Sequence, residues 1–143
     1  MKDEEDEHFD TAPFLMLDKK LLEASHWISP KTGEVIPFPL IDKIVYLVMR
    51  DKWLFYVKRL GNTFHESQES IAKSCGTFRR KVNEVVKRFI QEGVIEAHKV
   101  KVDNGVSLVY DEIFPISVLV EGKRKVVGKI RQGEDMSDDS PPF

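Results

Sequence analysis

Residues 67–93, SQESIAKSCGTFRRKVNEVVKRFIQEG, constrain this chain more than any other stretch. They predict a short helix, a tight turn at Cys75-Gly76-Thr77 and a longer helix. Ser67 suits the first N-cap, because its hydroxyl can accept from an orphan amide of the opening turn. Gly76 stands where a helix closes on a left-handed residue, and Thr77 is then placed to cap the next helix at once. In that second helix Phe78, Val82, Val85, Val86, Phe89 and Ile90 follow the spacing of one apolar face. At 100° per residue Arg80, Glu84 and Lys87 point the opposite way, with Lys81, Asn83 and Arg88 on the flanks. The pair therefore offers one buried face and one basic outer face.

Downstream, Gly93 stops the chain, and residues 94–102 and 106–110 are two β-prone runs around Asp103-Asn104-Gly105. Asn-Gly is the strongest short hairpin signal, since both turn residues favour positive φ. Lys99 and Lys101 fall on one face of that hairpin. A second hairpin is predicted from residues 116–120 and 126–130, turning at Gly122-Lys123-Arg124-Lys125. Upstream, residues 14–22 are apolar enough to pack, as a strand or a short helix. A turn-rich link follows over residues 27–34, closed by Pro37-Phe38-Pro39, and Pro39 suits the first turn of a helix. Ile41, Ile44, Val45, Val48 and Met49 give that helix a face. Trp53, Tyr56, Val57 and Leu60 extend its period, although residues 53–57 could equally form a strand after a stop near Asp51. One long helix to about Leu60, ended by Gly61-Asn62, is the favoured expectation. No internal repeat is present.

A length of 143 residues suits one domain with a real core. The net charge of −2 conceals a segregated distribution. Residues 1–10 hold six acids and one base, and residues 134–143 hold four acids and none. Residues 11–133 hold 21 Lys and Arg against 14 Asp and Glu, a net of +7. A basic body between acidic ends is the footprint of a protein that meets a polyanion, with tails able to compete for the same surface.

Several classes are disfavoured. A single cysteine, Cys75, excludes an internal disulfide and reads as a buried thiol. The acidic start is the wrong sign for a targeting peptide, and no apolar run approaches a membrane span, which points to the cytoplasm and to no membrane partner. His8, His26, His65 and His98 lack ligand spacing, so no metal is expected. No nucleophile-base pair, phosphate loop or paired acids stand out, so no catalytic residue and no cofactor are assigned, and an enzyme is not expected.

The residues best suited to DNA are Arg79, Arg80, Lys81, Asn83, Lys87 and Arg88 on the second helix, Lys99 and Lys101 on the hairpin, and Lys123, Arg124 and Lys125 beyond it. On the helix alone they could equally be a solvated face. Residues 53–59, WLFYVKR, mix rings with bases, a pattern that stacks single-stranded bases or simply fills a core.

Residues 14–110 resemble the winged-helix domains of bacterial, plasmid and phage replication-initiation proteins, the replisome organisers. The resemblance is carried by Ile44-Val45-Tyr46-Leu47, Phe64-x-x-Ser67-Gln68-Glu69-x-Ile71-Ala72, Val82-x-x-Val85-x-x-x-Phe89 and Gly93-Val94-Ile95. Phe78 departs from it, standing where a small residue is commoner. Separately, residues 134–143 are similar to the C-terminal tip of bacterial single-stranded DNA-binding proteins. Asp138, Asp139, Pro142 and Phe143 match, whereas Ser140 and Pro141 replace an aspartate and an aliphatic residue. That likeness implies docking of Phe143 and its carboxylate in an apolar cup with a basic rim, on host replication and repair proteins.

The expectation is an α+β chain. It comprises a winged helix-turn-helix domain over residues 13–131, with an additional C-terminal β-hairpin, between disordered acidic ends at 1–12 and 132–143. Its expected function is non-enzymatic DNA binding in replication or repair, from a plasmid or phage, as or beside a single-stranded DNA-binding protein, with host proteins recruited by the tip. Single- and double-stranded DNA both remain open as ligands, as does a homo-oligomer. The alternatives are a sequence-specific duplex-binding transcription regulator and a winged-helix protein adaptor.

Overall fold

The computed structural model describes residues 18–128. Residues 1–17 and 129–143, which include the acidic leader, the start of the 14–22 segment, the end of the strand expected at 126–130 and the C-terminal tail, lie outside the described residues. Within them the chain is α+β, with antiparallel sheets. Its elements are α1 (Lys19–Glu23), β1 (His26–Ile28), β2 (Val35–Pro37), α2 (Leu40–Trp53), a π-helical segment (Leu54–Arg59), α3 (Gln68–Cys75), α4 (Arg79–Gln91), β3 (Ile95–Val102), β4 (Gly105–Ile113), β5 (Ile116–Val120) and β6 (Lys123–Val127).

The α3 and α4 pair forms where the caps and apolar spacing place it. Ser67 caps α3, its hydroxyl accepting from Ser70 N at 3.1 Å. Gly76 closes α3 at φ 71° and ψ 34°. The Gly76 and Thr77 amides donate to Lys73 O and Ala72 O, which satisfies two terminal carbonyls. That closure carries the chain one residue further than expected. Phe78, not Thr77, is the N-cap of α4, with extended φ −104° and ψ 154°, and it makes no side-chain capping bond. Val82, Val85, Val86 and Phe89 are buried and Ile90 packs against the core. Phe78, expected beside them, is 79% exposed, because it precedes the helix and does not share its face.

The link over residues 27–34 proves to be part of a hairpin. β1 and β2 pair antiparallel, and β1 also pairs with β5, giving a four-stranded sheet in the order β2-β1-β5-β6. Strands of three residues are too short to show a period of two, which is why composition alone read this stretch as turn. The register aligns Ile36, Trp27, Val118 and Lys125 across the sheet. The first three are buried, and Trp27 rests on Phe89 of α4 with ring centroids 5.2 Å apart.

Both hairpin turns differ by a residue or more from expectation. The first loop is Asp103-Asn104, and Gly105 already pairs with Val102. Only Gly105 there has positive φ, so the turn is not the Asn-Gly type. The second turns at Glu121-Gly122, with φ of 51° and 79°. Two successive positive-φ residues match the right-handed twist of the flanking strands. Lys123, Arg124 and Lys125 consequently lie in β6 and not in the turn.

The long helix is α-helical to Trp53, with Pro39 at its N-cap, and π-helical from Leu54 to Arg59. Leu60 N donates five residues back to Phe55 O at 3.0 Å, and Gly61 at φ 70° ends the run. Spacings of three and four residues put Tyr46, Arg50 and Trp53 on one stripe of α2. Each reaches a backbone carbonyl at or just after the end of β4. Tyr46 Oη donates to Phe114 O at 2.7 Å, Trp53 Nε1 to Asp111 O at 2.9 Å, and Arg50 to Ile113 O and also to Gly128 O. Burial lowers the Arg50 pKa, with nearby Tyr46 and Glu112 pulling the other way. Buried Lys43, further along the helix, donates to Leu22 O at 2.8 Å.

Candidate nucleic-acid interface

The outer face of α4 exists because its inner face is committed to the core. With Val82, Val85, Val86 and Phe89 buried, helical geometry leaves Arg79, Arg80, Asn83, Glu84 and Lys87 exposed to solvent. The two flank cations are tied down instead. Lys81 Nζ lies 3.6 Å from Asp42 Oδ1 and links α4 to α2. That carboxylate oxygen is buried without a hydrogen bond, and burial holds the Asp42 pKa above its ordinary value despite the pull of Lys81. Arg88 reaches Glu34 at 3.8 Å and Glu92 at 3.4 Å, so its guanidinium is shared between two carboxylates of its own chain.

The hairpin of β3 and β4 follows directly after α4, its base fixed by Ile95 and Ile113 in the core. Lys99 and Lys101 are exposed and, by the alternation of the strand, share a face. Val102 and Val106 beside the turn are 48% and 62% exposed, so the end of the hairpin mixes bases with apolar side chains. Near its base His98 Nδ1 lies 2.8 Å from Asp111 Oδ2.

Lys123, Arg124 and Lys125 are exposed on β6, but they belong to the other sheet. In the strand order β6 and β2 are the two edges, roughly 14 Å apart at normal strand spacing. It is the turn leading into β2 that meets α4, through Arg88 and Glu34 and through Lys31 Nζ, which donates to Gln91 O at 3.3 Å. Arg124 is partly occupied, donating to Ser117 Oγ at 3.2 Å. The basic residues thus fall into an α4 group, a hairpin group and a separate strand-edge group. Asp138, Asp139, Pro142 and Phe143 lie outside the described residues.

The rings of residues 53–59 divide between core and surface. Trp53 is buried, and Tyr56 stacks on Phe64 at 6.1 Å and 17°. Phe55 alone among the three is exposed, with the Arg59 guanidinium 5.8 Å from its centroid. Beside them Tyr56, Thr63, Phe64, His65 and Glu66 line an open cleft of about 280 Å³. Glu66 is already paired, with Lys52 at 3.2 Å and as acceptor from Ser70 Oγ at 2.5 Å.

Cys75, last residue of α3, is half-buried, and burial pushes its thiol up to about 11. Among the described residues no cluster of His, Cys, Asp or Glu is arranged to hold a metal ion, and no helix is long and apolar enough to cross a membrane.

Two features are missed by a reading of periodicity and composition. Phe78 was readable in principle, since a helix closing on Gly76 leaves the next residues to extend before a new helix begins. The 3-4-3 spacing of Lys43, Tyr46, Arg50 and Trp53 was likewise present, but two cations on a core stripe run against composition. No protein-family model matches the chain, and no curated protein matches it in sequence.

Proposed function

We propose that the chain is a non-enzymatic DNA-binding protein of replication or repair, built as a winged helix-turn-helix, with α4 as the helix that meets DNA. The observation that carries this is the exposed row of Arg79, Arg80, Asn83 and Lys87, without an acidic partner among the described residues, on a helix whose opposite face is committed to the core. The element order supports the winged form: helix, extended segment, helix, turn, helix, hairpin. The extended segment before α3 lies against β4, with Tyr110 N donating to Phe64 O at 2.9 Å, in the place of a third strand beside the wing. A helix carrying such side chains fits the major groove, and Lys99 and Lys101 would follow the adjoining phosphates.

Lys81 and Arg88 each face a carboxylate of their own chain, at 3.6 Å and at 3.4–3.8 Å, which leaves Arg79, Arg80, Asn83 and Lys87 as the leading contacts on the helix. Burial of Trp53 and stacking of Tyr56 on Phe64 weaken the case for a single-strand stacking platform, so duplex is the favoured ligand. The C-terminal tip keeps the role its resemblance implies, recruitment of host proteins that accept such tips.

A titration of single-stranded, random duplex and selected duplex DNA across a salt series tests the reading. Duplex affinity should fall steeply with salt, and flat binding would refute an electrostatic interface. In a parallel titration a peptide of residues 134–143 should bind a host tip-accepting protein with micromolar affinity, and the same peptide lacking Phe143 should not.

A further inference from the structure

Phe78 is the most exposed large apolar side chain among the described residues, at 79%. Nothing among the described residues explains a ring there. It buries no core surface, and as N-cap of α4 it makes no side-chain bond to the helix. Ser, Thr, Asp or Asn would cap that position better, and a Phe left in water brings none of the stabilisation that its burial would. The residues that follow it, Arg79 and Arg80, are cationic and exposed.

We infer that Phe78 is a base-reading residue, its ring packing against the C5-methyl group of thymine in the major groove. This deepens the DNA reading above and rests on it. The N-terminal residues of a helix seated in the major groove are those that reach base edges. The thymine methyl is the apolar feature presented there, and Phe is among the side chains that contact it. Arg79 and Arg80 beside the ring can meet phosphates or guanine edges, so cation and ring together would discriminate as well as hold. The ring has only two side-chain torsions to fix, and it is 79% exposed among the described residues.

The test uses the full chain and two 24-base-pair duplexes, alternating dA·dT and the same duplex with every thymine replaced by uracil. Uracil differs only in lacking the methyl group. The native chain should bind the thymine duplex about fourfold tighter for each methyl that Phe78 covers. Phe78→Ala should bind both duplexes equally, with its salt dependence unchanged. The ratio of ratios removes any effect of uracil on the duplex itself. Since Phe78 is exposed, its replacement should leave the melting temperature nearly unchanged, and Phe78→Ser provides a second readout of the same kind.

Equal, salt-dependent binding of both duplexes by the native chain would overturn the role of Phe78 and leave the DNA reading standing. So would a thymine preference that persists in both variants. An exposed ring used for a protein partner would give the first of these results. Salt-insensitive or absent binding to every duplex would overturn the DNA reading and this inference together.

Discussion

The indole of Trp27 lies on the ring of Phe89, centroids 5.2 Å apart and planes at 60°, joining the four-stranded sheet to the inner face of α4. Phe89 in turn meets Tyr46 of α2 edge-on at 5.9 Å, so one aromatic cluster fixes three elements. Trp27→Ala should therefore destabilise the chain by about 3–5 kcal/mol, the usual cost of emptying a large buried ring site. Urea unfolding followed by circular dichroism measures it. A loss below about 1 kcal/mol would mean that the sheet and α4 are not one cooperative core.

Gly128 sits where no side chain fits. Its φ is 96°, and a Cβ there would lie 2.7 Å from Tyr46 Oη and 3.0 Å from Arg50 Nε. Gly128→Ala should cost at least about 1–3 kcal/mol from backbone strain, before the displacement of Arg50 is counted. Arg50→Met leaves the Ile113 and Gly128 carbonyls without their charged donor and should cost about 1.5–3 kcal/mol. The two changes share a partner, so the double variant should lose less than the sum of the singles. Strict additivity in thermal melts would contradict the shared contact.

Charge changes should divide between cations with and without an acidic partner among the described residues. Arg80→Glu with Lys87→Glu should weaken duplex binding strongly and flatten the salt dependence, each lost phosphate contact removing a slope of about 0.9. Arg88→Ala should weaken binding less than Arg80→Ala, because Glu34 and Glu92 already hold the Arg88 guanidinium. Lys99→Ala with Lys101→Ala should lower affinity at nearly constant melting temperature, as both are exposed. Fluorescence anisotropy at three salt concentrations reads all three sets, and an Arg88 effect equal to that of Arg80 would place the interface elsewhere on α4.

Cys75 should be a slow thiol. Burial raises its pKa from 9.0 to about 11, so near pH 8 the thiolate fraction falls about 100-fold. Alkylation of the native chain should be slower than that of the urea-unfolded chain by at least about that factor. Equal rates would show that the thiol is not shielded at the end of α3.

Local chemistry alone determined a good part of this protein. A cap at Ser67, a left-handed Gly76 and the buried series Val82, Val85, Val86 and Phe89 act through neighbouring residues, and the α3-α4 pair follows from them. The hairpin after Gly93, and the helix beginning at Leu40, were legible for the same reason. Tertiary structure decided what depended on distant partners. β1 and β2 are strands because β5, some ninety residues later, pairs with Trp27 and its neighbours. Lys43 and Arg50 are buried because carbonyls distant in sequence accept hydrogen bonds from them. Lys81 and Arg88 meet acids of other elements, Asp42 and Glu34, which their own helix does not announce, whereas the exposure of Phe78 is a local consequence of the turn after Gly76. Periodicity and capping are set within a few residues along the chain, whereas pairing and burial are set by whatever the closed fold brings across it.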